Sequence, residues 1–308
     1  MSQPRQVLPD ITYLITRRVV GRTFLLRPDA AITQILLYVL AVSSSRFGMQ
    51  VHALCAMSDH LHLIVTDTLG VLPQFLAFFN RLTALCTKVL RAWEGSVWDN
   101  NATSVVRLTT RAAVVEKIAY VLANPVAAGL VQRADEWPGA TVRVDDLGRG
   151  MLRAKRPEVY LDPENPAWSE EATLPLTLPP IILEEDGARN FRDEVAAELL
   201  RLEREAHDAM WQKGRSVLGA KQVMAVSPHE RATSFEPRRR RNPTFAVGRD
   251  QKDMGHRAAD AVKAFRSAYR EALEDWRGRV RDVVFPAGTW WMRVFHAADA
   301  HNVAAPTA

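Results

Sequence analysis

Cysteine is nearly absent from this chain. The only two, Cys55 and Cys86 in 308 residues, lie in stretches patterned as a strand and a helix, where a free thiol acts as a small buried hydrophobe. That scarcity excludes a disulfide-stapled scaffold and leads us to expect a reducing cytoplasm. No apolar run approaches the roughly 18 residues that would span a bilayer, and the N-terminal segment lacks the basic, apolar and small-residue order of a secretion signal. Neither membrane insertion nor export is therefore expected. No internal repeat is visible. What the chain does have is a 47% hydrophobic composition, enough for one full core and, at this length, for a division into two domains, because single cores rarely grow much beyond ~250 residues.

Charge is unevenly spread. Arg231 to Arg257 holds eight Lys or Arg against Glu236, Asp250 and Asp253, an excess as large as the net +5 of the whole chain. Within it runs Arg238, Arg239, Arg240 and Arg241, flanked by Pro237 and Pro243. Such a run reads first as a solvated linker; a phosphate backbone is the partner it would suit.

The first half alternates strand and helix periods. "ITYLITRRVV" (11–20) reads as a strand, and "PDAAITQILLYVLAVSSS" (28–45) as a helix opened by Pro28. "MQVHALCAM" and "HLHLIVT" are two strands joined by the turn pair Ser58-Asp59. An amphipathic helix follows, with Leu72, Phe75, Leu76, Phe79, Leu82, Cys86, Val89, Leu90 and Trp93 on one face. A strand near "SVVRLTT" and a helix from about Arg111 to Ala123 complete it. This order predicts an α+β fold, a ferredoxin-like (split βαβ) antiparallel sheet with helices and one extra helix, followed by a mainly helical C-terminal extension. Residues 146–189, rich in Pro and acid, read as an irregular linker. Residues 190–308 read as a mainly helical, basic region, with helices at 190–212 (N-cap Asn190) and 257–278 and a β-turn-β element over 280–296.

Two stretches carry chemistry. In "MSDHLHLIVT" (57–66), His60 and His62 are two apart, so a strand points both imidazoles to one face, within reach of one ion; an exposed polar strand face is the plain alternative. In "VVEKIAYVLANPVAAGLV" (114–131), Tyr120 and Asn124 are four apart, which a helix turns to one side. A phenol with an ordinary pKa near 10 is a poor nucleophile unless its target phosphate is already polarised by a cation. Two imidazoles and an amide oxygen form a mixed site suited to Mg²⁺ or Mn²⁺. Asn124 also precedes Pro125, so it can equally end the helix.

"MSDHLHLIV", the long amphipathic helix, "SVWDNN" and "YVLANPVAAGLVQRADEWPGA", in this order, resemble the HUH single-tyrosine transposases and most closely the REP-associated tyrosine transposases, over about residues 10–142. The resemblance implies a catalytic domain over 1–145, His60, His62 and Asn124 as metal ligands and Tyr120 as the catalytic nucleophile. It implies metal-dependent nicking and rejoining of hairpin-bearing single-stranded DNA through a 5′-phosphotyrosine intermediate, by a monomer or homodimer that joins the nucleoid when bound to DNA. Ser58-Asp59, Ala127, Gly139 and Ala140 depart from the family pattern, at turns and at positions bearing on DNA specificity. Glu116 and Lys117 are candidates to tune the phenol. For phosphate contacts the candidates are Arg17, Arg18, Arg22, Arg81, Lys88 and Arg91, with Arg238 to Arg241, Arg249, Lys252 and Arg257; Trp290 and Trp291 either stack on bases or anchor the C-terminal helices. Two other readings stay open: a DNA-hairpin-binding regulator without catalysis, and a nuclease in which the metal activates water.

Overall fold

In the computed structural model, which describes residues 3–100, 103–185, 188–234 and 243–301, the chain runs β1 (Ile11–Arg18), α1 (Ala30–Phe47), β2 (Met49–Ala56), β3 (His60–Asp67), α2 (Leu72–Arg91), β4 (Ser104–Leu108) and α3 (Arg111–Ala127). Then come β5 (Met151–Lys155), β6 (Glu171–Pro175), α4 (Pro180–Glu185), α5 (Ala188–Gln212), α6 (Ala220–Ala225), β7 (Phe245–Ala246), α7 (Lys252–Arg277) and α8 (Trp290–His296). The fold is mixed α+β, built on a five-stranded mixed sheet of order β2-β3-β1-β4-β7. β1 is antiparallel to both β3 and β4, and β7 joins the β4 edge in parallel.

Local chemistry sets the helix ends. Asp29 accepts from the Ile32 amide to start α1, and Gly48, at φ 64°, closes it in the left-handed conformation that costs glycine least. At the start of α2 a carboxylate from the preceding strand does the capping: Asp67 accepts from the Val71 and Leu72 amides at 3.0 and 2.7 Å. Thr110 caps α3 by accepting from Ala113.

The two faces of the sheet have different covers. Asp67 and Arg17 face α2, the first through its capping bonds and the second over the Trp98 ring, whose Nε1 donates to the Asn80 carbonyl. α3 lies across the opposite face and is itself covered by α5, where Phe191 and Val195 are fully buried.

Several expectations need correction. α1 is long and apolar enough to cross a membrane by length and composition, contrary to the reading that no run qualifies; nine of its residues are buried, against α2 and the β5–β6 pair among others. Val89 leaves the apolar face of α2 and is exposed, since Cys86 and Leu90 already define the inward direction. α5 already includes Ala188, so Asn190 lies within the helix rather than just ahead of its first residue. The supposed irregular connection contains the β5–β6 hairpin, tied to α1 by the Tyr38 hydroxyl, which donates to the Ser169 carbonyl at 2.6 Å. Residues 290–296 form a helix instead of a strand, because Trp290, Trp291 and Phe295 pack on one another at helical spacing. Arg238 to Arg241 lie outside the described residues.

Candidate functional site

The β2–β3 turn delivers the first histidine. Met57 donates its amide to the His60 carbonyl, so β3 starts at His60, and His62 follows with its side chain on the same face. In register, His60 sits opposite Arg18 and His62 opposite Thr16. Trp137 Nε1 donates to the Ala56 carbonyl, and the Ala56 amide donates to Ala140, which pins the loop around "EWPGA" over the end of the hairpin. Gly139 is needed there, since a Cβ would come within 3.2 Å of the Ala56 oxygen and 2.7 Å of the Trp137 nitrogen.

α3 brings the other pair. The helix runs on through Pro125 to Ala127 rather than ending at Asn124. Proline has no N–H and so removes one bond to Val121, which the last turn of a helix tolerates. Asn124 thus keeps helical geometry and stays on the face of Tyr120, donating Nδ2 to the Tyr120 carbonyl at 2.8 Å. The three rings meet edge to face: His60 and His62 centroids are 4.9 Å apart, and His62 and Tyr120 5.5 Å. Tyr120 is 44% exposed, so its phenol is open to a substrate. Lys117 Nζ lies 5.8 Å from its ring centroid.

Each imidazole has one nitrogen occupied. A carboxylate only accepts, so the 2.6 Å contact to Asp59 Oδ1 places a proton on His60 Nδ1 and leaves Nε2 as the donor atom. Burial works against the Asp59 carboxylate, but hydrogen bonds from His60 and Arg22 outweigh it and hold its pKa below the ordinary value. His62 Nδ1 is 2.9 Å from Thr16 Oγ1. Burial, then the nearby His60 and Arg18 charges, push the His62 pKa well below its usual value, so the ring is neutral. The Asn124 side chain acts in the opposite sense, yet no hydrogen bond of ordinary geometry reaches His62 Nε2, which is buried and unpartnered. An orphaned ring nitrogen is costly to bury, and a neutral imidazole lone pair facing a second imidazole and an amide fits a divalent cation. Among the described residues no three His, Cys, Asp or Glu gather into a metal cluster, so a cation here would depend on the amide and on solvent or substrate oxygens.

The other candidates scatter. Arg18 borders the histidines, but Arg17, one residue earlier, faces α2 on the other side. Arg81 and Lys88 belong to α2, across the sheet from the histidines. Arg91 is buried and structural: it donates to the Leu25 and Arg27 carbonyls and pairs with Asp29. Arg22 supports Asp59. Glu116 turns away from Tyr120 to accept from the Arg249 amide and guanidinium, and Arg249 also pairs with Glu198, so neither is free for the role expected of it. Lys252 and Arg257 are exposed on α7. Trp290 anchors α8 by donating to Gln74 Oε1, whereas Trp291 is 56% exposed. Sequence reasoning missed Asp59, which it read only as a turn former, and Thr16, which lies 46 residues from His62 and carries no signal of its own.

No family model matches the chain, and no curated protein matches it. Among solved structures it is similar to a REP-associated tyrosine transposase bound to a REP hairpin, at 17% identity and a TM-score of 0.39 over 45% of this chain and 81% of that one. It is also similar to a "putative transposase" from Deinococcus radiodurans R1, at 21% identity and a TM-score of 0.29 over 40% of this chain and 97% of that one. With TM-scores this low, the likeness adds no weight to an assignment, which rests on the site itself.

Proposed function

We propose that this chain nicks and rejoins single-stranded, hairpin-bearing DNA, with Tyr120 as the nucleophile and a divalent cation, Mg²⁺ or Mn²⁺, held by His60, His62 and Asn124. The observation that carries the reading is the buried, unpartnered Nε2 of His62 lying between His60 and an exposed tyrosine ring. The strand order of β1 to β4 fits the split βαβ layout. We assign the chemistry to residues 1–145 and an accessory DNA-binding role to residues 190–308, with 146–189 joining them.

A cation held at this site would supply positive charge to a scissile phosphate. The chain's own residues do the rest. Asp59 and Thr16 orient the two imidazoles, and Asn124 keeps its oxygen beside them by tying its nitrogen to the Tyr120 carbonyl. Tyr120 gives up its phenolic proton to solvent, and its oxygen bonds to phosphorus as the bond from phosphorus to the 3′-oxygen breaks. That oxygen takes a proton and leaves as a 3′-hydroxyl. Attack by another 3′-hydroxyl reverses these steps and frees Tyr120, with no outside energy source. Lys117 sets a cation beside the ring, where a phosphate can dock.

The test is a denaturing gel of the full chain incubated with Mn²⁺ and labelled single-stranded hairpins. A protein–DNA adduct is expected that needs the metal and is lost in Tyr120→Phe and in His60→Ala. Nicked product with no adduct would overturn the tyrosine mechanism in favour of activated water, and binding with neither product would reduce the chain to a hairpin-binding regulator.

A further inference from the structure

A groove of about 1010 Å³ opens between the N-terminal segment, the β4–β7 edge and α7. Its walls carry Arg5, Arg107, Lys263, Arg266 and Arg270, and among the described residues no acidic one lines it. Among the described residues none of these five cations is paired with a carboxylate; Glu271, next to Arg270 on α7, accepts from the Ser267 hydroxyl. Arg266 buries its Nε with no hydrogen-bond partner. Five like charges gathered in one concavity repel one another, and a buried guanidinium nitrogen without an acceptor is costly. Both penalties are removed by the same thing, an anion in the groove.

The shape narrows the choice of anion. Ala259, Lys263, Arg266 and Arg270 recur at helical spacing along one side of α7. The three cations, Lys263 to Arg270, span about 10 Å, a run of about three phosphates at the ~3.4 Å rise of a stacked strand and more than one phosphate needs. Phe245, half-buried, adds an aromatic ring to the wall, and Tyr13, 3% exposed, underlies it as part of the core. A basic channel with an aromatic ring in its wall is the pattern that tracks a single-stranded backbone and stacks a base.

The groove is not part of the tyrosine site. Tyr13 and Thr16 are an odd number of residues apart on β1, so they point to opposite faces of the sheet; Arg107 shares the face of Tyr13, and His62 that of Thr16. We infer that the groove between α7 and the β4–β7 edge is a second nucleic-acid site, which holds the backbone of a single strand on the face opposite Tyr120. The choice of polymer rests on the reading of the tyrosine site given above. The C-terminal region thereby acquires a function: it supplies one wall of a channel that the sheet alone does not form.

The experiment uses the full chain in a Tyr120→Phe background, so that binding is read without chemistry. Anisotropy of a labelled single-stranded oligonucleotide is followed over a range of salt. Lys263→Gln/Arg266→Gln/Arg270→Gln is expected to weaken binding ~10- to 100-fold at low salt and to lower the slope of log affinity against log salt by ~2, at ~0.7 for each phosphate no longer neutralised. Arg153→Gln, on the β5–β6 hairpin and absent from the groove lining, should change neither, and an unchanged melting temperature in the triple variant verifies the fold. Unchanged affinity and slope in the triple variant, or an equal loss in Arg153→Gln, would overturn the inference. So would competition by inorganic phosphate as effective, per phosphate, as competition by the oligonucleotide, since that marks a site for small anions. With Tyr120 restored and DNA saturating, the triple variant should still form the adduct. A chain that forms no adduct but loses binding in the triple variant refutes the tyrosine chemistry and leaves the groove standing.

Discussion

At His60 and His62, sequence spacing was informative because alternation along a strand is a local property. The partners that fix their rings were not legible in the same way. Asp59 adjoins His60 but sits in the turn, where its side chain has left the strand alternation, and Thr16 reaches His62 only through the register of β1 and β3. Outer partners of this kind tune a metal site strongly. Asp59→Asn is expected to weaken Mn²⁺ binding ~10- to 100-fold by isothermal titration calorimetry. A second residue-scale consequence lies away from the site. His52, at the irregularity in β2, is fully buried between Thr66 Oγ1 and the Thr177 carbonyl. Burial lowers its pKa from 6.5 to about 4. Below pH 6.5 the unfolded chain binds a proton that the folded chain refuses until about pH 4. This contribution is therefore intact above pH 6.5 and is lost as pH falls through that window, by about 3 kcal/mol in all. Urea unfolding should show the fall between pH 7 and 5, and His52→Gln should flatten it; an equal slope in the variant would assign the loss to other groups.

Among the elements, the ones easiest to read were those with long, regular patterns and local stop signals. α1, α2 and the β2–β3 hairpin lie within a few residues of their expected ends, because Asp29, Gly48 and the Ser58-Asp59 turn act on their immediate neighbours. β7 is only two residues long and exists because β4 offers it an edge; α8 is a short apolar run whose period does not distinguish strand from helix. The junction of these parts is Thr110. Its hydroxyl oxygen accepts from Ala113 as the α3 cap, and its hydrogen is donated to the Val247 carbonyl, just after β7. Thr110→Ala removes both bonds at a buried position and should destabilise the chain by about 1–2 kcal/mol in equilibrium urea unfolding. A loss near zero would mean that water replaces the cap.

Across the whole molecule, the main core extends from Val7 to Val223, while Ala272, Phe285, Met292 and Ala298 form a separate small cluster joining α7, α8 and the loop between them. A cluster of four buried side chains holds its backbone less firmly than the sheet does. Hydrogen exchange should therefore open the amides of 272–298 at a lower free energy than those of β1 and β3; simultaneous opening would show one cooperative unit. By itself, the sequence determined the α+β order of the first half, the pairing of His60 with His62 and that of Tyr120 with Asn124, since strand alternation and the helical turn act over a few residues. Tertiary structure alone decided that these pairs meet, that Asp59 and Thr16 hold the imidazoles, that Arg17 and Arg18 part to opposite faces, and that α7 closes a basic groove with the β4–β7 edge. Each of those depends on sheet register and on packing between residues far apart in the chain, which no local period encodes.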